Sequence, residues 1–289
     1  MRAALAATLI SLAGPALASD FSLAQPLDCT LGQTCYIQQY VDHDPGPGAQ
    51  DFHCAGLSYD GHKGTDFGVP TLADMQAGVD VLAAASGTVR GLRDGMTDKE
   101  YTTEMAAEID GRDCGNGVVL VHEGGWETQY CHMKQGSVQV RKGDTVSEGT
   151  VLGQVGLSGR TQFPHMHLSV RHMGKVVDPF DPDGILNCET ESGDSKTLWR
   201  NPPEYIAGDV LDVGFTIKVP DFDSVKAGTA GQPDVPADAP ALVFFSYAFG
   251  GQQGDVIELE VTGPDGQIIS NTSQLERDQA QYFRAAGKR

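Results

Sequence analysis

The sequence predicts an all-β chain: an antiparallel β sandwich or barrel-like central domain, followed by a C-terminal β-sandwich module. Three observations carry this reading. Short β-branched and alternating runs recur from Gly56 to about Phe180, separated by glycine turns. No long segment with a 3.6-residue period interrupts them. After Asn201-Pro202-Pro203 the composition shifts and a second set of strand-like runs begins.

Taken in order, Met1 to Ala18 reads as a secretory signal. Arg2 supplies the positive start, Ala3 to Ala13 a short apolar core, and Ala16-Leu17-Ala18 a small-x-small cleavage site. That core is too short to span a bilayer, and no later run approaches 18 apolar residues. Residues 19–55 form a cysteine-containing, loop-rich lead-in, with the turn signal Asp44-Pro45-Gly46-Pro47-Gly48. Residues 56–200 hold the central domain. Its expected strands cover Val79–Ala85, Thr88–Leu92, Val118–His122, Trp126–Tyr130, Ser137–Val140, Val151–Val155 and His165–Val170. The polar stretch Arg93–Arg112 reads as an insertion with a short helix around Glu104–Ile109. In the module at 206–289, Val210–Val219, Leu242–Ala248 and Val256–Ile269 are strand-like, the last folding as a hairpin at Gly263-Pro264-Asp265-Gly266. Gln274–Arg289 reads as frayed or helical.

The formal charge is −19, and it becomes −20 once Arg2 leaves with the signal. No basic run is present, so nucleic acid is not an expected partner. Acidity of this size favours solubility and disfavours polyanionic partners without selecting a substrate. Six cysteines in an exported chain imply three disulfides out of 15 pairings. Cys29 and Cys35 bracket a turn at Leu31-Gly32. Cys114 and Cys131 flank a strand–turn–strand unit, which leaves Cys54 and Cys188. No Cys-x-x-Cys exists, which disfavours a zinc–thiolate site.

The chemistry gathers on histidine. In Phe163-Pro164-His165-Met166-His167-Leu168, two histidines lie two apart in an alternating run, so on a strand both face one side. In Gly61-His62-Lys63-Gly64-Thr65-Asp66, a histidine and a carboxylate four apart can reach one ion, with Gly64 permitting a tight bend. Tyr130-Cys131-His132 places a third histidine at a strand end. Four histidines and one aspartate offer the three protein ligands that a catalytic zinc needs, with two histidines left for proton handling. His43 and His53 read as ordinary loop residues, His122 as a structural strand cap, and His172 as exposed.

His62-x-x-x-Asp66, Tyr130-x-His132 and Pro164-His165-x-His167 resemble the three signature motifs of the lysostaphin/LytM-type zinc metallopeptidases, in the same order. Val140–Gly149 and Gly153–Gly159 resemble that family's glycine-punctuated hairpin, and Gly174–Pro179 its closing turn. The resemblance covers about residues 56–182 and implies a duplicated-hybrid-motif-like β fold. It implies Zn²⁺ on His62, Asp66 and His167, with His132 and His165 beside the attacking water and scissile carbonyl. No His-Glu-x-x-His is present, so a glutamate base of the helical metalloproteases is not implied. The implied activity is that of an exported, periplasmic or secreted endopeptidase of bacterial peptidoglycan, with a D,D-type cross-link favoured over a glycine bridge. The competing reading is a catalytically silent regulator that activates cell-wall amidases.

Overall fold

The computed structural model describes residues 21–186 and 196–289. The signal expected at Met1–Ala18, and Cys188 of the pair expected with Cys54, lie outside the described residues. The first strands are β1 (Tyr36–Gln39), β2 (Thr65–Gly68), β3 (Asp80–Leu82), β4 (Gly87–Arg93) and β5 (Asn116–Val121). They are followed by β6 (Trp126–Met133), β7 (Thr145–Val146), β8 (Val151–Gln154), β9 (His165–His172) and β10 (Lys175–Val177). The C-terminal part adds β11 (Asp209–Thr216), β12 (Leu242–Gly251), β13 (Val256–Gly263), β14 (Gly266–Gln274) and β15 (Gln279–Lys288). Three short helices, α1 (Leu72–Ala77), α2 (Ala106–Ile109) and α3 (Phe222–Ala227), are interspersed.

The main sheet is antiparallel in the order β1-β2-β9-β6-β5-β4-β7, with β10 added to β9, while β3 and β8 pair separately. Its central strands alternate, with one face apolar and packed into the core. Leu120 and Val118 on β5, Tyr130 on β6, and Met166 and Leu168 on β9 are fully buried. Each such side chain is worth about 1.5–3 kcal/mol of transfer free energy.

The structure alters several expectations. The lead-in is not merely loop: β1 pairs with β2, and Leu23, Leu27, Tyr36, Ile37 and Tyr40 enter the main core. Ser137–Val140 is not a strand. The segment read as frayed or helical holds β15, which pairs along β12. His172 is half-buried, its ring stacked on Trp126 at 4.3 Å. Helix α1 was not legible because six residues show no period. It forms because Thr71 and Asp74 make a reciprocal capping box. The short helix expected in the 93–112 insertion is present, as a 3₁₀ turn at Thr103–Met105 running into α2.

In the C-terminal part, β11, β12 and β15 form one sheet. Alternation along β12 splits its side chains between two layers. Phe245 and Tyr247 pack with Phe222 and Val225 of α3, whereas Leu242 and Phe244 pack with the β13–β14 hairpin through Leu259 and Ile269. Phe249 instead joins the main core, 4.6 Å from the ring of Tyr36. A polar knot fixes the junction. Gln281 donates to Tyr36 Oη (2.8 Å) and to Gln38 Oε1 (3.1 Å), and accepts from Tyr247 Oη at 2.7 Å. Gln38, itself buried, donates to the carbonyl of Ala280 at 2.9 Å.

Candidate metal centre

Strand register assembles the site. Asp66 on β2 faces His167 on β9, so their side chains rise from the same side of the sheet. His165, two residues earlier, shares that side. His62 precedes β2 and reaches back across the turn. Asp66 Oδ1 lies 3.2 Å from His62 Nε2 and 2.8 Å from His167 Nδ1, and the two nitrogens are 3.1 Å apart. Among the described residues, these three are the group of histidine and carboxylate donors close enough to share a metal ion.

The donor set has the chemistry of a cation site. His62 Nδ1 sits 2.6 Å from the carbonyl of Tyr40, which only accepts, so Nδ1 carries the hydrogen and Nε2 keeps its lone pair. That lone pair points at a carboxylate oxygen and another imidazole nitrogen. A carboxylate oxygen and two imidazole nitrogens this close are held together by positive charge, either a proton on a ring nitrogen or a bound cation. The local field agrees. Burial alone would lower the pKa of His62, yet Asp66 raises it. Burial would raise the pKa of Asp66, yet His62 and His165 hold it well below the usual carboxylate range. His167 is lowered, first by burial, with Asp66 opposing. Oxygen and nitrogen donors without thiolates fit a divalent metal of borderline character.

Gly64 has a role beyond the bend expected of it. Its φ lies outside the left-handed region, but a Cβ there would lie 2.5 Å from His167 Nε2 and 2.6 Å from the Leu168 carbonyl. The glycine makes room for the His167 ring.

His132 and His165 flank the cluster. His165 Nδ1 lies 3.0 Å from the Phe163 carbonyl and 3.0 Å from Thr161 Oγ1, and its ring stacks on Phe163 at 4.2 Å. Its Nε2 is 3.5 Å from Asp66 Oδ1. His132 Nδ1 donates to the carbonyl of Ser158 at 2.8 Å, leaving Nε2 as the basic nitrogen. Burial first, then His165 and His167, hold the pKa of His132 well below the ordinary value, so the ring is neutral at neutral pH. His132 has φ of +61°. Its neighbour Cys131 faces His167 across the ladder, so regular alternation would send His132 to the opposite side of the sheet. The left-handed backbone breaks that alternation and brings its ring 4.7 Å from His165.

A supporting layer was not legible in the sequence. Ser158 is fully buried; its Oγ donates to the Met133 carbonyl (2.7 Å) and accepts from Asn116 N–H (2.9 Å). Asn116 Nδ2 adds a bond to the same carbonyl at 3.2 Å. The Gly156–Gly159 spacing was the one hint to Ser158, since glycines admit close backbone approach; Tyr40 and Asn116 gave none. The expected bridges Cys29–Cys35 and Cys114–Cys131 are both formed. The other histidines stay out of the site. His43 is not an ordinary loop residue: its Nε2 bonds Asp178 Oδ2 at 2.7 Å. His53 stacks on Tyr205, and His122 ties Ser86 to Thr128.

Residues 60–179, which contain every residue of this cluster, match Peptidase family M23. That stretch is similar to the M23 peptidases. Three curated relatives are reported with it. The cell division protein DipM of Caulobacter vibrioides is 29% identical over 42% of this chain and 19% of its own length. The peptidoglycan DD-endopeptidase ShyA of Vibrio cholerae is 30% identical over 40% of the chain and 22% of its own. A yeast D-2-hydroxyglutarate–pyruvate transhydrogenase, DLD3, is 30% identical over 53% and 27%. Its name is that of an oxidoreductase, whereas the M23 match accounts for the histidine–aspartate cluster. The chain thus spans roughly a fifth to a quarter of the length of these relatives. Among solved structures, a zinc-containing peptidase from Vibrio cholerae is 22% identical, covers 50% of this chain and 39% of its own, and superposes with a TM-score of 0.32.

The matched region opens on a cleft of about 570 Å³ lined by His132, His165, Asp66 and Tyr59, and by residues from beyond the family match, including Gln38, Phe222 and Lys226. Lys226 of α3 bonds both oxygens of Glu100 in the insertion, at 3.0 and 3.1 Å. Insertion, lead-in and C-terminal part thus all wall the same cleft. Among the described residues no helix is long and apolar enough to cross a membrane.

Proposed function

We propose that the chain is an exported zinc metalloendopeptidase that hydrolyses peptide stems or cross-links of bacterial peptidoglycan, with a D,D-type cross-link as the bond cut. The observation that carries it is the convergence of three atoms able to ligate a metal, from His62, Asp66 and His167, beside two histidines that border an open cleft. The M23 match supports a peptidase, and the similarity to the Vibrio cholerae peptidoglycan DD-endopeptidase supports the substrate. The leader-like N-terminus and two disulfides support an oxidising, extracytoplasmic compartment.

His62 Nε2, Asp66 Oδ1 and His167 Nδ1 would hold the ion. When bound, zinc supplies Lewis acidity, which polarises the scissile carbonyl and brings the pKa of a water towards ~7. Tyr40 fixes the tautomer of His62 and so aims its lone pair. Ser158 does the same for His132, whose neutral ring accepts the proton of the attacking water at Nε2. The resulting Nε2–H then donates to the developing oxyanion and passes the proton to the leaving amine. His165, whose Nδ1–H is held by the Phe163 carbonyl and Thr161 Oγ1, presents Nε2 to the same centre and can donate to the oxyanion only once that nitrogen has taken up a proton.

The test is the zinc content of purified protein and of a His167→Ala variant, followed by digestion of purified peptidoglycan with separation of the products. One zinc per chain in the parent, little in the variant, and new peptide ends only with the parent are expected. A folded parent that takes up no zinc and cuts nothing would overturn the reading and leave the amidase-activating regulator.

A further inference from the structure

The open space does not end at the histidines. Gln38, Gln39 and Ala280 line the histidine cleft and also the start of a second trough of about 760 Å³. This trough runs between the 49–58 loop and the chain at 250–253 and 278–280. Gln50, Gln252 and Gln279 on its walls lie outside residues 60–179, so the M23 match does not account for them.

Its chemistry is unusual for this chain. The net charge is −19, yet the only charged residue on these walls is Asp278, and its Oδ1 already accepts from Gln253 N–H at 2.8 Å. The polar groups are mostly carboxamides. Among the described residues, those of Gln39, Gln50, Gln252 and Gln279 make no hydrogen bond to the protein, whereas those of Gln38 and Gln281 are spent in the knot that holds the walls together. A carboxamide offers two N–H donors and an acceptor oxygen, the complement of a peptide main chain. Small residues such as Gly56, Gly251 and Ala280 leave room for a backbone to approach. No aromatic ring lines the trough, so the stacking faces on which a sugar ring would lie are missing.

We propose that the trough is an extended subsite for an uncharged peptide strand with small side chains, read through its main-chain amides by Gln39, Gln50, Gln252 and Gln279. The proposal rests on the peptidase reading of the adjoining cleft. In it, the lead-in and the C-terminal part select substrate length and charge while the M23 domain supplies the chemistry.

The test measures binding, not turnover, and uses the full chain kept metal-free with a chelator. A dye-labelled Ala/Gly octapeptide, acetylated and amidated at its ends, is titrated by fluorescence anisotropy into the parent and into Gln50→Leu, Gln252→Leu and the double variant. The Gln252 side chain is exposed and that of Gln50 half-buried, and neither carboxamide bonds the protein; circular dichroism checks that the variants keep the fold. Binding by the parent and an affinity about tenfold lower in the double variant are expected, the loss of two neutral hydrogen bonds. No binding, or binding equal in all four proteins, overturns the proposal. So does competition by a hexamer of N-acetylglucosamine with the same dependence on Gln50 and Gln252, which makes the trough a glycan site. If the octapeptide behaves as expected but the zinc-loaded parent cuts no peptidoglycan, the peptidase reading fails and the subsite stands. Cleavage without variant-sensitive binding gives the reverse.

Discussion

Replacing Gly64 with alanine tests the construction of the proposed metal centre without touching a proposed ligand. A Cβ at this position would lie 2.5 Å from His167 Nε2 and 2.6 Å from the carbonyl of Leu168. Leu168 is in β9, whose main chain is paired on one side with β2 and on the other with β6, so that carbonyl cannot retreat. The ring must move, and the carbonyl contact is relieved only by a shift of the main chain at residue 64. Restoring a contact of 3.4 Å from 2.5 Å displaces the ring by 0.9 Å. Metal–ligand distances tolerate about 0.2 Å. Because φ is not left-handed here, crowding and not backbone strain is what alanine introduces. Disturbing a ligand's support lowers metal affinity roughly 10- to 100-fold, or about 1.4 to 2.8 kcal/mol. Overpacking adds about 1–3 kcal/mol of destabilisation. The assay is zinc competition against a chromophoric chelator, with Tm recorded beside it. Gly91→Ala is the control, since nothing lies within 4 Å of a Cβ there. Parent-like zinc affinity and Tm in Gly64→Ala would refute the reasoning.

Further predictions follow from residues around the site. Asp178 raises the pKa of His43 above its ordinary 6.5, with burial opposing. The stability this pair contributes is therefore complete below about pH 6.5 and lost as pH rises through the raised folded value. The Tm gap between the parent and His43→Asn should narrow between pH 5.5 and 8.5, and a gap that widens would reverse the sign. Cys114 and Cys131 close a loop of separation 17, so a Cys114→Ala/Cys131→Ala variant should lose ~3 kcal/mol in urea unfolding. Ser158→Ala leaves the buried N–H of Asn116 unpaired, whereas the Met133 carbonyl keeps its bond from Asn116 Nδ2. A loss of about 1–3 kcal/mol is expected, with kcat reduced because the segment holding His132 loosens; unchanged unfolding would contradict the assigned bond.

The cluster was legible because its members sit in short-range patterns that strand geometry converts directly into proximity. The two-residue spacing of His165 and His167 selects one face, and four residues suffice for His62 to reach Asp66. What joins these segments is register, and the sequence carries no local mark of it. The same limit explains the misread regions. β1 and β15 are strands because of partners far along the chain, and Tyr36–Gln39 looks like loop until β2 lies beside it. His43 looked solitary because Asp178 is 135 residues away. The position of His132 required a backbone conformation that histidine seldom adopts, and a strand pattern conceals that reversal.

The knot of Gln38, Gln281 and Tyr36 has a consequence for the order of assembly. Its hydrogen bonds join residues 242 to 245 positions apart. Contacts of such separation carry the largest loop-closure entropy and belong to the slow part of folding. The histidine–aspartate cluster depends on the β2–β9 ladder, not on this knot. A chain can therefore hold its reactive groups in place while the cleft around them is still unwalled. Between those two moments the cluster would stand without the walls that define its cleft, and β15 is the piece that ends the interval.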